Sequence, residues 1–238
     1  MRKIPVNIDN ALIGEKAITE LFHKCYYNSQ TWLNTYWQGV RTQKCPFDLW
    51  VYQEIIYSLR PSTIIECGTS EGGSALFLAS VCDLVNKGRI ITIDIKDYEN
   101  KPQHNRIRYL LGSSTSQEIV RQVSELVNTE GPAMVILDTD HHKEHVLKGL
   151  RTYCRFVTQG SYVIVEDTNI NGHPVLPEFG PGPSEAVADF LRENDDFVVD
   201  RTKEKFLMTF NPGGYLRRVK RAESSMSSSH VVVEREVT

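Results

Sequence analysis

The chain has 238 residues, 40% of them hydrophobic and 24% charged, the profile of an ordinary globular protein and not of a disordered or collagen-like one. Its net charge is -3 and its pI is about 6.2, so no global basic field argues for nucleic acid as a partner. No apolar run approaches the roughly 20 residues of a transmembrane helix, and the N-terminus MRKIPVNIDN is too polar for a signal-peptide core.

The apolar spacing of Leu12, Ile13, Ala17, Ile18, Leu21, Phe22 and Cys25 predicts a helix over 9–25 with one buried face. Residues 26–45 are rich in aromatics and amides and show no period. Pro46 then suits a helix first turn, and Pro61 stops the helix that follows. From Ser62 the chain alternates strand and helix. STIIECG, RIITIDI, IRYLLG, AMVILD and SYVIVED read as strands, mostly continuous Val/Ile-rich runs, which predicts a parallel sheet covered on both faces. Thr115 and Glu118 fit a capping box that opens a helix through Val127. Residues 168–183 form a long loop with four prolines, a length usually reserved for function or disorder. After a helix at SEAVADFLREN, the runs FVVD and FLMTF are so closely linked that they are expected to pair as an antiparallel hairpin. The serine-rich tail is expected to be disordered, with a terminal strand at Val231–Val233. The division expected is an N-terminal helical and aromatic lid segment (1–60), one Rossmann-like α/β domain (61–218) and the tail (219–238). The five cysteines, Cys25, Cys45, Cys67, Cys82 and Cys154, are widely spaced and form no CxxC, as in a reduced cytoplasmic protein without structural zinc.

In an open parallel sheet, ligands bind beyond the carboxyl ends of the strands. The first strand ends in a glycine-rich turn, Glu66 to Ser74, suited to close backbone approach to a ligand or simply to a tight strand-to-helix turn. Asp94 ends the second strand, where an acid can hold both hydroxyls of a ribose; the alternative is a solvated loop acid. Ser113, in the turn after the third strand, either meets an adenine edge or caps the next helix. The fourth strand ends in Asp138-Thr139-Asp140-His141-His142 and the fifth in Glu166-Asp167. If these strands are neighbours, Asp138, Asp140, Glu166 and Asp167 meet in one crevice. Carboxylates so crowded repel unless protonated or neutralised by a cation, for which an all-oxygen set suits Mg2+ before Ca2+ or Mn2+; the alternative is solvated loop acids that cap helices. His141, three residues past Asp138, is placed as a general base.

Six segments carry a family resemblance: WQGVRTQKCPFDLWVYQE (37–54), IIECGTSEGGSALFLA (64–79), LDTDHHKEHVL (137–147), GSYVIVEDTNING (160–172), GPGPSEAV (180–187) and KFLMTFNPGGYLRR (205–218). On these the chain resembles the cephalosporin hydroxylase-like family of class I S-adenosylmethionine-dependent methyltransferases, which includes Mg-dependent O-methyltransferases of macrolide sugars and rhamnosyl groups. The resemblance implies that Glu66, Gly68, Ser70 and Gly72 hold the methionine end of S-adenosylmethionine and that Asp94 binds its ribose. It implies a Mg2+ site of Asp138, Glu166 and Asp167, with His141 as the base; Asp140 has no role in that pattern.

The activity expected is methyl transfer to a hydroxyl of a sugar or another small natural product. The alternatives are a catechol-type O-methyltransferase and a non-catalytic binding protein of the same fold. The aromatics of 26–45 (Tyr26, Tyr27, Trp32, Tyr36 and Trp37) and the polar residues Asn169, Asn171 and His173 are candidates for acceptor contact, with Tyr36, Trp37, Asn169 and His173 foremost; for the aromatics, packing or a subunit interface is the alternative. A homo-oligomer without nucleic-acid or membrane partners is expected.

Overall fold

The structure is a computed structural model that describes residues 6–8 and 11–219. The chain enters through a short antiparallel hairpin, β1 (Val6–Ile8) and β2 (Ala11–Ile13), followed by α1 (Glu15–Asn28). The expected helix over 9–25 therefore starts later, after Gly14, and residues 11–13 are strand. A two-residue hairpin, β3 (Tyr36–Trp37) and β4 (Val40–Arg41), leads to α2 (Pro46–Leu59), whose first residue is the proline that the helix start tolerates.

The central body alternates β5 (Thr63–Cys67), α3 (Gly73–Leu84), β6 (Arg89–Asp94), β7 (Ile107–Leu111), α4 (Gln117–Leu126), β8 (Ala133–Leu137), α5 (Lys143–Tyr153), β9 (Tyr162–Val165) and α6 (Pro183–Glu193). The cap of α4 is Ser116, whose side chain accepts from the Ile119 N–H, one residue later than the Thr115 box implied. Two strands close the described chain, β10 (Phe197–Val199) and β11 (Tyr215–Arg218). The sheet has seven strands in the order β10-β11-β9-β8-β5-β6-β7. Strands β9, β8, β5, β6 and β7 run parallel, and β11 lies antiparallel between β9 and β10. This is a Rossmann-like sheet with antiparallel strands at one edge.

The continuous apolar runs have the expected cause. Ile65, Val135, Leu137, Val163 and Val165 face a core formed with α4, α5 and α6. Their neighbours Ile64, Met134, Ile136 and Ile164 face the other core, formed with α2 and α3. Each fully buried aliphatic side chain contributes about 1.5–3 kcal/mol, and strands buried on both faces have no polar side to alternate.

The hairpin partner of β10 is not FLMTF. Asp48, buried on α2, accepts hydrogen bonds from the Thr209 hydroxyl, from the Phe210 N–H (2.9 Å) and from the Tyr215 hydroxyl (2.8 Å). Those bonds hold 209–210 off the sheet, and Tyr215–Arg218 pairs with β10 instead. The tail from residue 220, including the strand expected at Val231–Val233, lies outside the described residues. All five cysteines are free thiols, and no helix among the described residues is long and apolar enough to cross a membrane.

Candidate active site

A cavity of about 380 Å³ opens at the carboxyl ends of β5, β6, β7 and β8. Gly68, Ser70, Asp94, Ser113, Asp138 and His145 are among its walls. Gly68 has φ +110, and a Cβ there would stand 1.7 Å from the Asp138 carbonyl oxygen; only glycine permits this approach of β5 to β8. Asp94 accepts from the Ser70 N–H (2.8 Å) and the Lys96 N–H (3.0 Å), which fixes its carboxylate at the rim. Glu66 is fully buried behind the wall. Its Oε2 accepts from the Thr92 hydroxyl (2.6 Å), whereas Oε1 has no hydrogen-bond partner of normal geometry. Burial pushes the Glu66 carboxyl up, and Lys44, Ser74 and Thr92 offset that only in part. Gly72 serves as the N-cap of α3 in the left-handed region and does not line the cavity.

Strands β8 and β9 are parallel neighbours, so their acids meet. His141 Nε2 stands 3.2 Å from Asp138 Oδ1 and 3.4 Å from Asp167 Oδ2. One donor atom each from Asp138, His141 and Asp167 lies within 4.8 Å of the others. Asp167 has φ +54, a conformation that costs a non-glycine residue about 1 kcal/mol. Its N–H donates to Asn211 Oδ1 (3.1 Å), which helps to hold the turn. Glu166 points inward, and both its oxygens accept: Oε1 from the Tyr52 hydroxyl (2.9 Å), Oε2 from the Lys44 ammonium (2.6 Å). Lys44 also pairs with Asp138 Oδ2.

Burial opposes every charge here, and the partners decide the balance. Burial would discharge Lys44, but Asp138 and Glu166 outweigh it and hold the ammonium charged. Burial likewise acts against Asp138, yet Lys44 and His141 keep its carboxyl well below the usual range. Burial would also lower His141, but Asp138 and Asp167 push it up to about 9. Burial raises Asp167 and Glu166, although two donors on separate Glu166 oxygens are the pattern of a carboxylate.

On the far side of the cluster lies a second cavity of about 310 Å³. Asp138, His141, Glu166 and Asp167 form its floor, and Tyr27, Trp32, Leu33, Ile170, Leu176, Phe179 and Phe210 are among its walls. Phe210 packs edge-on to Trp32 (5.9 Å between centroids) and flat on His23 (5.6 Å). Asp138 is common to both cavities.

Several expected contacts fall elsewhere. Trp37 packs edge-on to Phe77 (4.9 Å), and its indole N–H donates to the Ser80 hydroxyl, because β3 lies against α3. Tyr36 is 59% exposed and lines a different surface hollow with Arg41 and Glu71. Asn169 is fully buried against His23 (2.9 Å). Asn171 and His173 both bond Glu185 at the start of α6. None of these five lines the aromatic cavity; Tyr27 and Trp32 do. Asp140 turns outward to His142 and does not join the acid cluster.

A profile of the family described as Rhamnosyl O-methyltransferase/CmcI matches residues 29–219. The chain belongs to this family. It is 39% identical over 208 residues to the Rhamnosyl O-methyltransferase of Mycobacterium leprae (strain TN), covering 85% of this chain and 91% of that protein. It is 38% identical over 209 residues to the Rhamnosyl O-methyltransferase of Mycobacterium tuberculosis (strain ATCC 25618 / H37Rv), covering 85% of each. A solved structure of cmcI with Mg and SAM superposes with a TM-score of 0.61 at 23% identity, over 79% of this chain and 78% of that one, and shows the same fold.

In this member of the rhamnosyl O-methyltransferase/CmcI family, the sequence reading missed Lys44, Tyr52, Phe210 and Asn211. Lys44 lies 94 and 122 positions from its two acidic partners. Tyr52 sits on a helix whose period marks it only as core. Phe210 lies hidden at the end of a run that reads as strand, and Asn211 follows it directly.

Proposed function

We propose that the chain transfers the methyl group of S-adenosylmethionine to a hydroxyl of a sugar, with Mg2+ held by Asp138, Glu166 and Asp167 and with His141 as the base. The observation that carries this reading is Asp138, which forms part of the wall of both cavities. One cavity has the glycine turn and the ribose-type acid expected around a nucleoside donor, the other an aromatic wall over a carboxylate floor. Family membership and the sugar-modifying relatives support the acceptor class.

The residues fit both groups. Gly68 leaves room for close backbone approach, and the unpartnered Glu66 Oε1 suits the amino end of the donor. Asp138 and Asp167 offer oxygens within ligating reach of one point beside His141, and Glu166, which shares Lys44 with Asp138, ends the neighbouring strand with its oxygens held by Tyr52 and Lys44. When bound, S-adenosylmethionine supplies an electrophilic methyl, and a divalent ion lowers the pKa of a hydroxyl beside it.

The chain's own part is positioning and proton transfer. Asp94 holds the ribose, and the turn at Ser70 fixes Asp94. Trp32, Phe210 and Tyr27 hold the apolar face of a sugar ring and keep water from the floor. His141 receives the acceptor proton on Nε2. Against the effect of burial, Asp138 and Asp167 push that ring up to about 9; a cation held by those carboxylates would weaken their pull and free Nε2 to act as the base.

The test is calorimetry of S-adenosylmethionine binding with and without EDTA, then methylation assays on rhamnosides, other glycosides and catechols. Cofactor binding that survives EDTA, with turnover on glycosides lost, is expected. Absence of cofactor binding refutes the reading, and turnover confined to catechols refutes the sugar.

A further inference from the structure

The carboxylate cluster has an inner and an outer side. On the inner side Lys44, only 5% exposed, directs its ammonium to Asp138 Oδ2 and to Glu166 Oε2. Tyr52 holds the other Glu166 oxygen, and Asn211 Nδ2 steadies the Tyr52 hydroxyl at 3.0 Å. On the outer side Asp138 Oδ1 and Asp167 Oδ2 face His141 and the aromatic cavity. Two of the three acids thus already have a cation of the chain's own between them. Among the described residues the Lys44 ammonium has no hydrogen-bond partner besides those two.

We propose that Lys44 is the resident counter-cation of this cluster: it holds Asp138 and Glu166 together when no divalent ion is present, and it competes with that ion for their oxygens, so that it sets the metal affinity of the site. The proposal rests on the reading of Asp138, Glu166 and Asp167 as the divalent-ion site. A buried carboxylate pair without a cation repels and pulls water inward. A fixed ammonium removes that penalty and lets the fold close around a metal-free site. The same charge repels an arriving dication, and the same hydrogen bonds occupy oxygens that the dication needs. Lys44 borders the aromatic cavity, but its ammonium is turned to Asp138 and Glu166 and takes no part in binding donor or acceptor in this scheme. It is a positioning residue that acts through Asp138 and Glu166.

The experiment is isothermal titration of Mg2+ and of Mn2+, each alone, into the unaltered chain and into Lys44→Met and Lys44→Gln, with melting temperature followed as a function of ion concentration. The substitutions are expected to tighten ion binding at least tenfold. They are also expected to lower the melting temperature without ion and to enlarge its rise on ion addition. Binding by a variant where the unaltered chain shows none supports the same conclusion. Affinity equal to or weaker than that of the unaltered chain overturns the proposal. Failure of all three chains to bind either ion overturns the metal reading itself, and with it the proposal. Should neither variant fold, the lysine ammonium resonances of the 15N-labelled unaltered chain answer instead. The exchange-protected ammonium signal is expected to shift as Mg2+ saturates; a signal indifferent to saturating Mg2+ overturns the proposal.

Discussion

His23 gives a stability test independent of catalysis. It lies on α1, buried flat against Phe210, and its Nε2 is 2.9 Å from Asn169 Nδ2. The amide donates into the ring, so the folded chain holds the imidazole neutral. Burial lowers its pKa from 6.5 to about 4. Below pH 6.5 the unfolded chain takes up a proton that the folded chain refuses. The stability this ring contributes is therefore complete above that pH and is lost as the pH falls through 4. The gap amounts to about 3 kcal/mol in all, of which about 2 kcal/mol disappears between pH 7.5 and 5. Asp48, pushed up to about 6 by burial, works in the opposite direction, being most favourable at low pH and losing its contribution as the pH rises. It is common to both chains and cancels in a comparison. The assay is urea unfolding, followed by tryptophan fluorescence, of the unaltered chain and His23→Gln at several pH values in that range. The unaltered chain should lose about 2 kcal/mol more than the variant on going from pH 7.5 to 5. Parallel pH profiles would refute the argument.

Three substitutions test the site itself. His141→Ala should leave S-adenosylmethionine affinity intact and reduce turnover by about 10²–10⁴, measured by calorimetry and a methylation assay; undiminished turnover removes it as the base. Asp94→Ala deletes a carboxylate that anchors the Ser70 and Lys96 N–H groups and should weaken cofactor binding about 10–100-fold, with Mg2+ affinity unchanged. Gly68→Ala forces a Cβ into the Asp138 carbonyl at a positive φ and should cost more than about 4 kcal/mol; a variant melting near the unaltered chain would show that β5 and β8 can part there.

Much of the site was legible because acids that end apolar strands have few other reasons to stand there. Strand order alone gathers Asp138, Asp140, Glu166 and Asp167, once β8 and β9 are taken as neighbours; the family resemblance leaves out Asp140, whose carboxylate turns outward to His142. Local pattern failed where a distant residue sets the geometry. FLMTF has the composition of a strand, but one buried carboxylate on α2 captures its backbone and turns Phe210 toward the aromatic cavity. Trp37 reads as a pocket aromatic only while nothing says that β3 lies on α3. Lys44 was silent for the same reason: a lysine in an aperiodic stretch carries no local sign that its ammonium will be buried between two acids.

The strand inserted between β9 and β10 is the last described element to leave the ribosome. Until Tyr215–Arg218 slides between them, β9 has an open edge and β10 nothing to pair with. Asn211, which braces the Asp167 turn, and Phe210 arrive with the same stretch. A growing polypeptide can therefore build the cavity of the glycine turn early, from β5 to β8. It completes the aromatic cavity only once the stretch from Phe210 to Arg218 has been added.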